Sequence, residues 1–355
     1  MCNVSILYNI RILFIIKYRM KDLVIGDCHF GIKTNSIFWL NKQIEFFDKV
    51  VIPTIRTENI DRIIFLGDIT DIRYAINQYI GIELKKLVHK IAATGKRIIF
   101  VAGNHDYYSP VEEYVDYNSY ELLFGEDFTS RYNNVTFVTK DPLLENGSLF
   151  LPWYWTENPE HFDDMLYRYN IKHDVDAIYC HADLTCWPGP RIASIHGKPI
   201  YSGHIHYIVE DSVCNLHNVG AAFSFTFNDV NQDRFIYIIE NNKIVKKIKN
   251  DITPRFVRIV NEDIFKDDDS MYDNAYVQLI VSSANINKAE YVDRVKFLKN
   301  KYVDSNVRVH IIDSDYEIDN TNIKGINSNI GKYIEDNIPT NLNDKYLYIK
   351  DKIKK

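Results

Sequence analysis

From Leu23 onward, short apolar runs alternate with longer stretches whose apolar positions recur every three or four residues. Leu23-Val24-Ile25-Gly26 reads as a strand, and Ile37 to about Arg56 carries apolar residues at helical spacing. Ile63-Ile64-Phe65-Leu66 is a second strand. Tyr74 to Ala93 is a second helix, with Gly95 placed to end it. Ile98 to Val101 is a third strand. This β-α-β-α-β rhythm predicts parallel strands joined by right-handed crossovers.

The rhythm then shortens. Leu149 to Leu151, Ala177 to Cys180, Ile200-Tyr201, Tyr207 to Val209, Val213 to Val219 and Phe235 to Ile239 read as strands with brief connections. That suits a second sheet packed on the first. Near Asp251-Ile252-Thr253-Pro254 the character changes again. Ala275 to Val281 and Val307 to Ile312 read as strands around an amphipathic helix from Lys288 to Tyr302, a small β-α-β unit. Asp313 to Asn322 is polar and linker-like. The stretch from Ile323 to Lys355 reads as two helices divided by Ile338-Pro339-Thr340. The expected divisions are an extension at 1–19, a main domain at 20–252, a small domain at 253–316 and a helical tail at 317–355.

Five apolar runs end in polar clusters. They are Gly26-Asp27-Cys28-His29, Gly67-Asp68-Ile69-Thr70-Asp71, Gly103-Asn104-His105-Asp106, Cys180-His181-Ala182-Asp183 and Ser202-Gly203-His204-Ile205-His206. Open α/β sheets carry their chemistry at such carboxyl ends. Any one of these clusters is equally well a turn, because Gly, Asn and Asp are common turn residues. Five ends with one grammar are not explained that way. In an extended segment residues i and i+2 point the same way. Asp27 with His29, and His204 with His206, are thus expected to converge, leaving Cys28 and Ile205 toward the core. Carboxylates and imidazoles together suit divalent cations such as manganese, iron or zinc. Two cations about 3.5–4 Å apart, bridged by one carboxylate, would offset the cost of burying the acids. The spacing by itself reaches "dinuclear metal site" and stops. His89, His161, His173, His196, His217 and His310 are read as ordinary core or surface histidines.

Composition narrows this little. The 355 residues carry 42 basic and 48 acidic side chains, a formal charge of −6. That argues against attachment to nucleic acid by global charge, though not against a local basic surface. The segment from Lys243 to Lys249 and the one from Lys345 to Lys355 are basic, and an ordinary solvated face is the plainer reading of each. Tyr107, Tyr108 and Trp153 to Trp155 lie near the clusters, where core packing is the safer reading and base stacking the alternative. Five scattered cysteines form no metal-ligand spacing and fit reduced thiols in a cytoplasmic protein. No run approaches the roughly 18 apolar residues of a membrane span. Met20, directly before the first strand, is the expected natural start.

The motifs Asp27-Cys28-His29, Gly67 to Asp71, Gly103 to Asp106, the lone His181 after a strand and Gly203 to His206 resemble, in order, those of the calcineurin-like metallophosphoesterases. The resemblance spans about residues 21 to 220. Within that superfamily the chain resembles the SbcD-type exonuclease subunits, and their phage branch most. Gly31, Leu151-Pro152-Trp153, Asn218-Val219-Gly220 and Tyr333 to Pro339 carry that narrower likeness.

The resemblance implies a four-layer α/β/β/α sandwich with a small βαβ capping domain and C-terminal helices. It implies that Asp27, His29 and His206 hold one metal, that Asn104, His181 and His204 hold the other, and that Asp68 bridges them. His105 would donate a proton to the leaving oxygen, and Asp106 would orient it. Asp71 departs from relatives that carry His there to place DNA. The implied activity is two-metal hydroxide attack on a phosphodiester, with Mn2+ favoured over Mg2+, Fe2+ or Zn2+. That is a double-strand exonuclease and single-strand endonuclease acting in DNA recombination, repair and replication. Its implied partners are DNA, a SbcC-type coiled-coil ATPase docked on the C-terminal helices and a second copy of the chain, in the cytoplasm or a host's. A phosphatase or phosphodiesterase acting on a small molecule or phosphoprotein is the alternative, since it would share all five motifs. A non-catalytic scaffold is the third class, and the complete ligand set speaks against it.

Overall fold

The computed structural model describes residues 20–312, apart from 72, 110–111, 154–155, 157–174, 184–196, 213–214, 231, 267–271, 273, 283, 286 and 302–305. The expected extension at 1–19 and the helical tail at 317–355 lie outside the described residues, as do His161, His173 and His196.

The chain forms two compact units. The first takes the described residues of 1–258, 267–278 and 302–307, and the second those of 259–266, 279–301 and 308–355. The first unit is built on two six-stranded sheets. In the first sheet β1 (Lys21–Ile25), β2 (Arg62–Phe65), β3 (Arg97–Val101) and β4 (Val135–Val138) run parallel. β11 (Phe235–Glu240) joins β1 antiparallel, and β12 (Lys243–Lys249) forms the edge. In the second, β6 (Ser148–Leu151), β7 (Ala177–His181), β8 (Ile200–Gly203) and β10 (Leu216–Asn218) run parallel. Antiparallel β5 (Leu143–Glu145) and β9 (Val209–Asp211) complete it.

Strand period sorts the apolar side chains. Leu23, Ile25, Ile63, Phe65, Ile98 and Phe100 share one core with the helices. Their alternates Val24, Ile64, Ile99 and Val101 pack with Phe150, Tyr179 and Tyr201 of the second sheet and with Val219 just after it. Strands covered on both faces read as continuous apolar runs, which is why their sequence signal is strong. The helix α1 (Ile37–Phe46) starts at Ser36, whose hydroxyl accepts from Trp39 N, and buries Trp39, Leu40, Gln43 and Phe46. It runs on through a π-turn at Phe47–Val51 into Ile52–Thr57, so the expected single helix is one helix with a bulge before Pro53. α2 (Gln78–Ala92) starts four residues later than Tyr74, because the Asn77 side chain caps Tyr79 N and Ile80 N. The short helices α3 (Ser119–Leu123) and α4 (Gly125–Arg131) follow β3. Helix, sheet and sheet thus stack as the expected α/β sandwich; the fourth layer is not among the described residues.

β12 is the basic segment KIVKKIK. Its lysines pair with acids: Lys246 with Glu58 at 2.6 Å, Lys247 with Glu210 at 2.7 Å and Lys249 with Asp233 at 2.9 Å. The edge is charged and solvated, which blunts strand-to-strand association. β13 (Arg255–Val260), β14 (Ala275–Ser282) and β15 (Asn306–Ile312) form a third sheet in that order. In the second unit α5 (Ala289–Lys301) buries Tyr291 and Leu298, and Arg294 Nε donates to the Ile264 carbonyl at 2.7 Å. Among the described residues no helix is long and apolar enough to cross a membrane.

Candidate metal centre

The ends of β1, β2, β3, β7 and β8 bring Asp27, His29, Asp68, Asn104, His105, His181, His204 and His206 to one place. Each polar end follows a strand whose last four residues are buried, so the sheet core fixes where the chain turns out. Three of these residues turn in the left-handed region: His29 at φ 47, Asp68 at φ 48 and His204 at φ 84. Such backbone costs on the order of 1–3 kcal/mol per residue and persists where surroundings hold it. His29 and His204 are therefore not in extended segments, and the i, i+2 argument does not describe how the pairs converge. Cys28 is buried in the core as expected, whereas Ile205 is only half-buried. Gly67, at φ 95, and Gly103 are packed so closely on His181 and Asp68 that no side chain fits at either position.

The ligand atoms form two overlapping groups. In one, His29 Nε2 lies 3.1 Å from His206 Nε2, and His206 Nε2 lies 3.7 Å from Asp27 Oδ2. In the other, Asn104 Oδ1 lies 2.9 Å from His181 Nε2 and 3.0 Å from His204 Nδ1, which are 3.3 Å apart. Asp68 touches both: Oδ2 is 3.6 Å from His29 Nε2 and Oδ1 is 3.5 Å from His181 Nε2. His105 joins His29 and Asp68 in a third, overlapping group.

The donor set fits divalent cations. His181 Nδ1 donates to the Leu66 carbonyl at 2.7 Å, so Nε2, which faces the Asn104 oxygen, is the atom a cation would take once the ring gives up its second proton. Exchanging the Asn104 amide atoms would turn its nitrogen to His181, His204 and Asp68 and its oxygen to Arg73 Nη2. With the oxygen left inward, a cation would take Asn104 Oδ1, His181 Nε2 and His204 Nδ1 together, and His29 Nε2 and His206 Nε2, 3.1 Å apart, would take a second one in place of the proton they share. Electrostatics point the same way. Burial pushes the His181 imidazole down, but the Asp68 and Asp27 carboxylates outweigh it and raise its pKa to about 9. Burial would lift Asp68, yet the surrounding His181, His29 and His105 hold its carboxyl below the usual range. The His204 and His206 rings are lowered, chiefly by burial. The cluster calls for positive charge: the acids draw protons onto His181 and His29, which a cation would displace.

His105 is half-buried, and its Nδ1 lies 2.5 Å from the main-chain oxygen of Asp71. The Asp106 carboxylate makes different bonds. It accepts from Ile69 N at 3.1 Å, Thr70 N at 3.3 Å, Gly103 N at 2.9 Å and the Tyr120 hydroxyl at 3.1 Å. Its hold on His105 is thus indirect: it pins the 69–71 loop that carries the Asp71 carbonyl. Burial, then repulsion by Asp68, raises the Asp106 carboxyl to about 6.

Several contributors escape the motif pattern. The Asp71 carboxylate lies 3.3 Å from His29 Nδ1, off hydrogen-bond alignment. Gln43, from α1, donates to the Cys28 carbonyl at 2.6 Å. Thr156 donates to the His181 carbonyl at 2.6 Å. Phe225 sets its ring edge-on to both His29 and His206, at 5.0 and 5.3 Å. Asp71 stands in the Gly67 to Asp71 motif, but its contact with His29 Nδ1 does not follow from it; Gln43, Thr156 and Phe225 carry no local signal, since they act on a main chain or a ring face reached only through the fold. Away from the centre, His89 meets Tyr132 edge-on and His217 stacks on Tyr201.

Comparison with known proteins accords with this geometry. The exonuclease subunit 1 of Enterobacteria phage T4 is 25% identical over 312 residues, covering 85% of this chain and 87% of that protein. A solved crystal structure matches over 65% of this chain and 99% of its own at a TM-score of 0.39 and 11% identity. Residues 20–224 match the calcineurin-like phosphoesterase family, a span that takes in all five strand ends. The chain belongs to that family.

Proposed function

We propose that this chain, a metal-dependent phosphoester hydrolase by family, is the nuclease subunit of a DNA-processing complex. It would cleave phosphodiesters as a double-strand exonuclease and single-strand endonuclease in recombination and break repair. The observation that carries this reading is the 25% identity to a phage exonuclease subunit over 85% of the chain, well beyond residues 20–224. A likeness confined to the hydrolase domain would not favour DNA over other phosphoesters.

Asp27, His29 and His206 are assigned to one cation, Asn104, His181 and His204 to the other, and Asp68 lies between the two sets. When bound, two divalent cations, Mn2+ in this reading, activate water and offset phosphoryl charge. The chain's own residues do the rest. With Nδ1 turned to the Asp71 carbonyl, His105 presents Nε2 as proton donor to the leaving oxygen. Arg73 lies beside the centre: its Nη2 is 2.6 Å from the Asn104 amide atom turned away from the cation, and with Oδ1 on the cation that atom is an N–H donor, so the guanidinium would turn from it to a phosphate oxygen.

Exposed Tyr79 and Ile82 on α2 and Leu122 on α3 support a homodimer through these helices. The segment 253–316 is assigned to capping DNA, and 317–355 to docking a SbcC-type ATPase. Digestion of linear duplex DNA with Mn2+, with and without that ATPase, tests the reading. Degradation stimulated by the partner is expected. Strong turnover of small phosphoesters with no DNA cleavage would sink it.

A further inference from the structure

The loop that carries His204 and His206 is held from behind at three consecutive carbonyls. Asn218 Nδ2 donates to Ile205 O at 2.7 Å and to Tyr207 O at 2.6 Å. The carbonyl between them, that of His206, accepts from Arg234 Nη1 and from Ala221 N. Arg234 precedes β11 and is 3% exposed. Its other nitrogens reach two further points: Nε donates to Ser224 Oγ at 3.1 Å, and Nη2 lies 2.7 Å from Asp229 Oδ1, close but off hydrogen-bond alignment. Asp229 Oδ2 in turn accepts from Phe225 N at 2.7 Å and Thr226 N at 2.9 Å. Phe225 is the residue whose ring meets His29 and His206.

One buried ion pair thus serves both histidines of one half of the centre. A guanidinium suits this because its donors fan out in a rigid plane and address several acceptors at once. Burying it is costly unless it is paired, so a plain structural position would more readily take an apolar side chain. The need is local. The His206 side chain is 34% exposed, against 3% for His29, its partner in this half of the centre, so side-chain packing fixes His206 less than His29.

We propose that Arg234, braced by Asp229, is a positioning residue that sets His206 and the ring of Phe225 for binding the cation assigned to Asp27, His29 and His206, and not the other cation. The proposal rests on the ligand assignment given above. It predicts a selective effect, because among the described residues the side-chain hydrogen bonds and ion pair of Arg234 and Asp229 reach the His206 carbonyl, Ser224, Phe225 and Thr226 but not Asn104, His181 or His204.

The test is calorimetric titration of the full-length, metal-stripped protein with Mn2+ alone, resolving two sites. Arg234→Met is expected to weaken one site about 10–100-fold, the range for residues that orient metal ligands. His206→Ala should weaken the same site, and Asn104→Ala the other. Equal weakening of both sites by Arg234→Met, or no change at either, overturns the proposal. If Arg234→Met does not fold, Arg234→Lys decides: it keeps the charge beside Asp229 but loses the fan of donors. It should fold and still weaken that one site, and wild-type affinity at both sites overturns the proposal. If His206→Ala itself leaves both sites intact, the ligand assignment is at fault instead.

Discussion

His105 Nδ1 and the main-chain oxygen of Asp71 are 2.5 Å apart, and this bond fixes which face of the imidazole meets the centre. A carbonyl only accepts, so Nδ1 carries the proton and Nε2 is the atom left for exchange with a substrate. The histidine is thus oriented by backbone, on a loop whose amides Ile69 N and Thr70 N are gripped by Asp106.

His105→Ala should therefore keep both cations and lose roughly 10²–10⁴ in kcat, the usual contribution of general acid catalysis. Metal content by elemental analysis beside single-turnover rates checks it. A variant that sheds metal, or that cleaves at full rate, contradicts the role given to His105.

Asp71 divides its work between two atoms, and the division is testable. Asp71→Asn keeps the carbonyl that orients His105 but removes the carboxylate 3.3 Å from His29 Nδ1. Carboxylates behind metal-bound histidines raise their basicity, and their loss costs about 10–100-fold in metal affinity. The expected outcome is a rightward shift in the Mn2+ dependence of the rate with little change in kcat at saturating metal. A fall in saturated kcat as large as that of His105→Ala would mean that the carboxylate, not the carbonyl, supports the acid.

The sequence shows the site better than it shows what supports it. The five strand ends were legible because β1, β2, β3, β7 and β8 are continuous apolar runs that stop abruptly in polar residues. β4, β12 and β13 were less legible: Val135–Val138 is short, and KIVKKIK and Arg255–Val260 alternate with charge. The convergence of Asp27 with His29 was anticipated for the wrong reason, since φ 47 at His29 is a tertiary outcome that no local period encodes. Asp71, Phe225, Arg234 and Gln43 act on carbonyls, rings and a neighbouring carboxylate, contacts that exist only once the layers have stacked.

Away from the centre, Arg62 and Asp22 tie the two sheets together. Arg62 Nε and Nη2 lie 2.9 and 2.7 Å from the Asp22 carboxylate, Nη2 also reaches Ser148 Oγ at 2.8 Å, and the Tyr179 hydroxyl donates to Asp22 at 2.8 Å. Both charges are almost fully buried. Arg62→Met leaves Asp22 without its counter-charge, and breaking a buried pair in this way costs about 3–5 kcal/mol. Urea unfolding of metal-stripped protein should show that loss as a lower midpoint. A midpoint within experimental scatter of the wild type would mean that Asp22 is solvated or protonated and that the pair does not hold the sheets.

The metal-free protein should lose stability as pH rises from about 6.5 to about 9. His181 is buried beside Asp68 and Asp27, and its folded pKa of about 9 stands above the ordinary 6.5. A raised pKa means the folded state binds the proton more tightly, so the stabilisation is complete below about 6.5 and fades through about 9. His29 is also raised: burial lowers it, while the Asp71 contact and the Asp68 and Asp27 charges prevail, giving a slope of the same sign. The lowered His204 and His206 act below 6.5, where their slope is opposite, so the window above it is set by the raised pair. Bound cations replace those protons, so their affinity should climb across the same window and flatten the profile. Thermal melts at pH 6.5, 7.5 and 9 in chelator and in excess Mn2+ measure both effects. A chelated protein whose Tm is level or rising over that range would show that the acids of the centre are not neutralised by His181 and His29, and the electrostatic account of the site would fall.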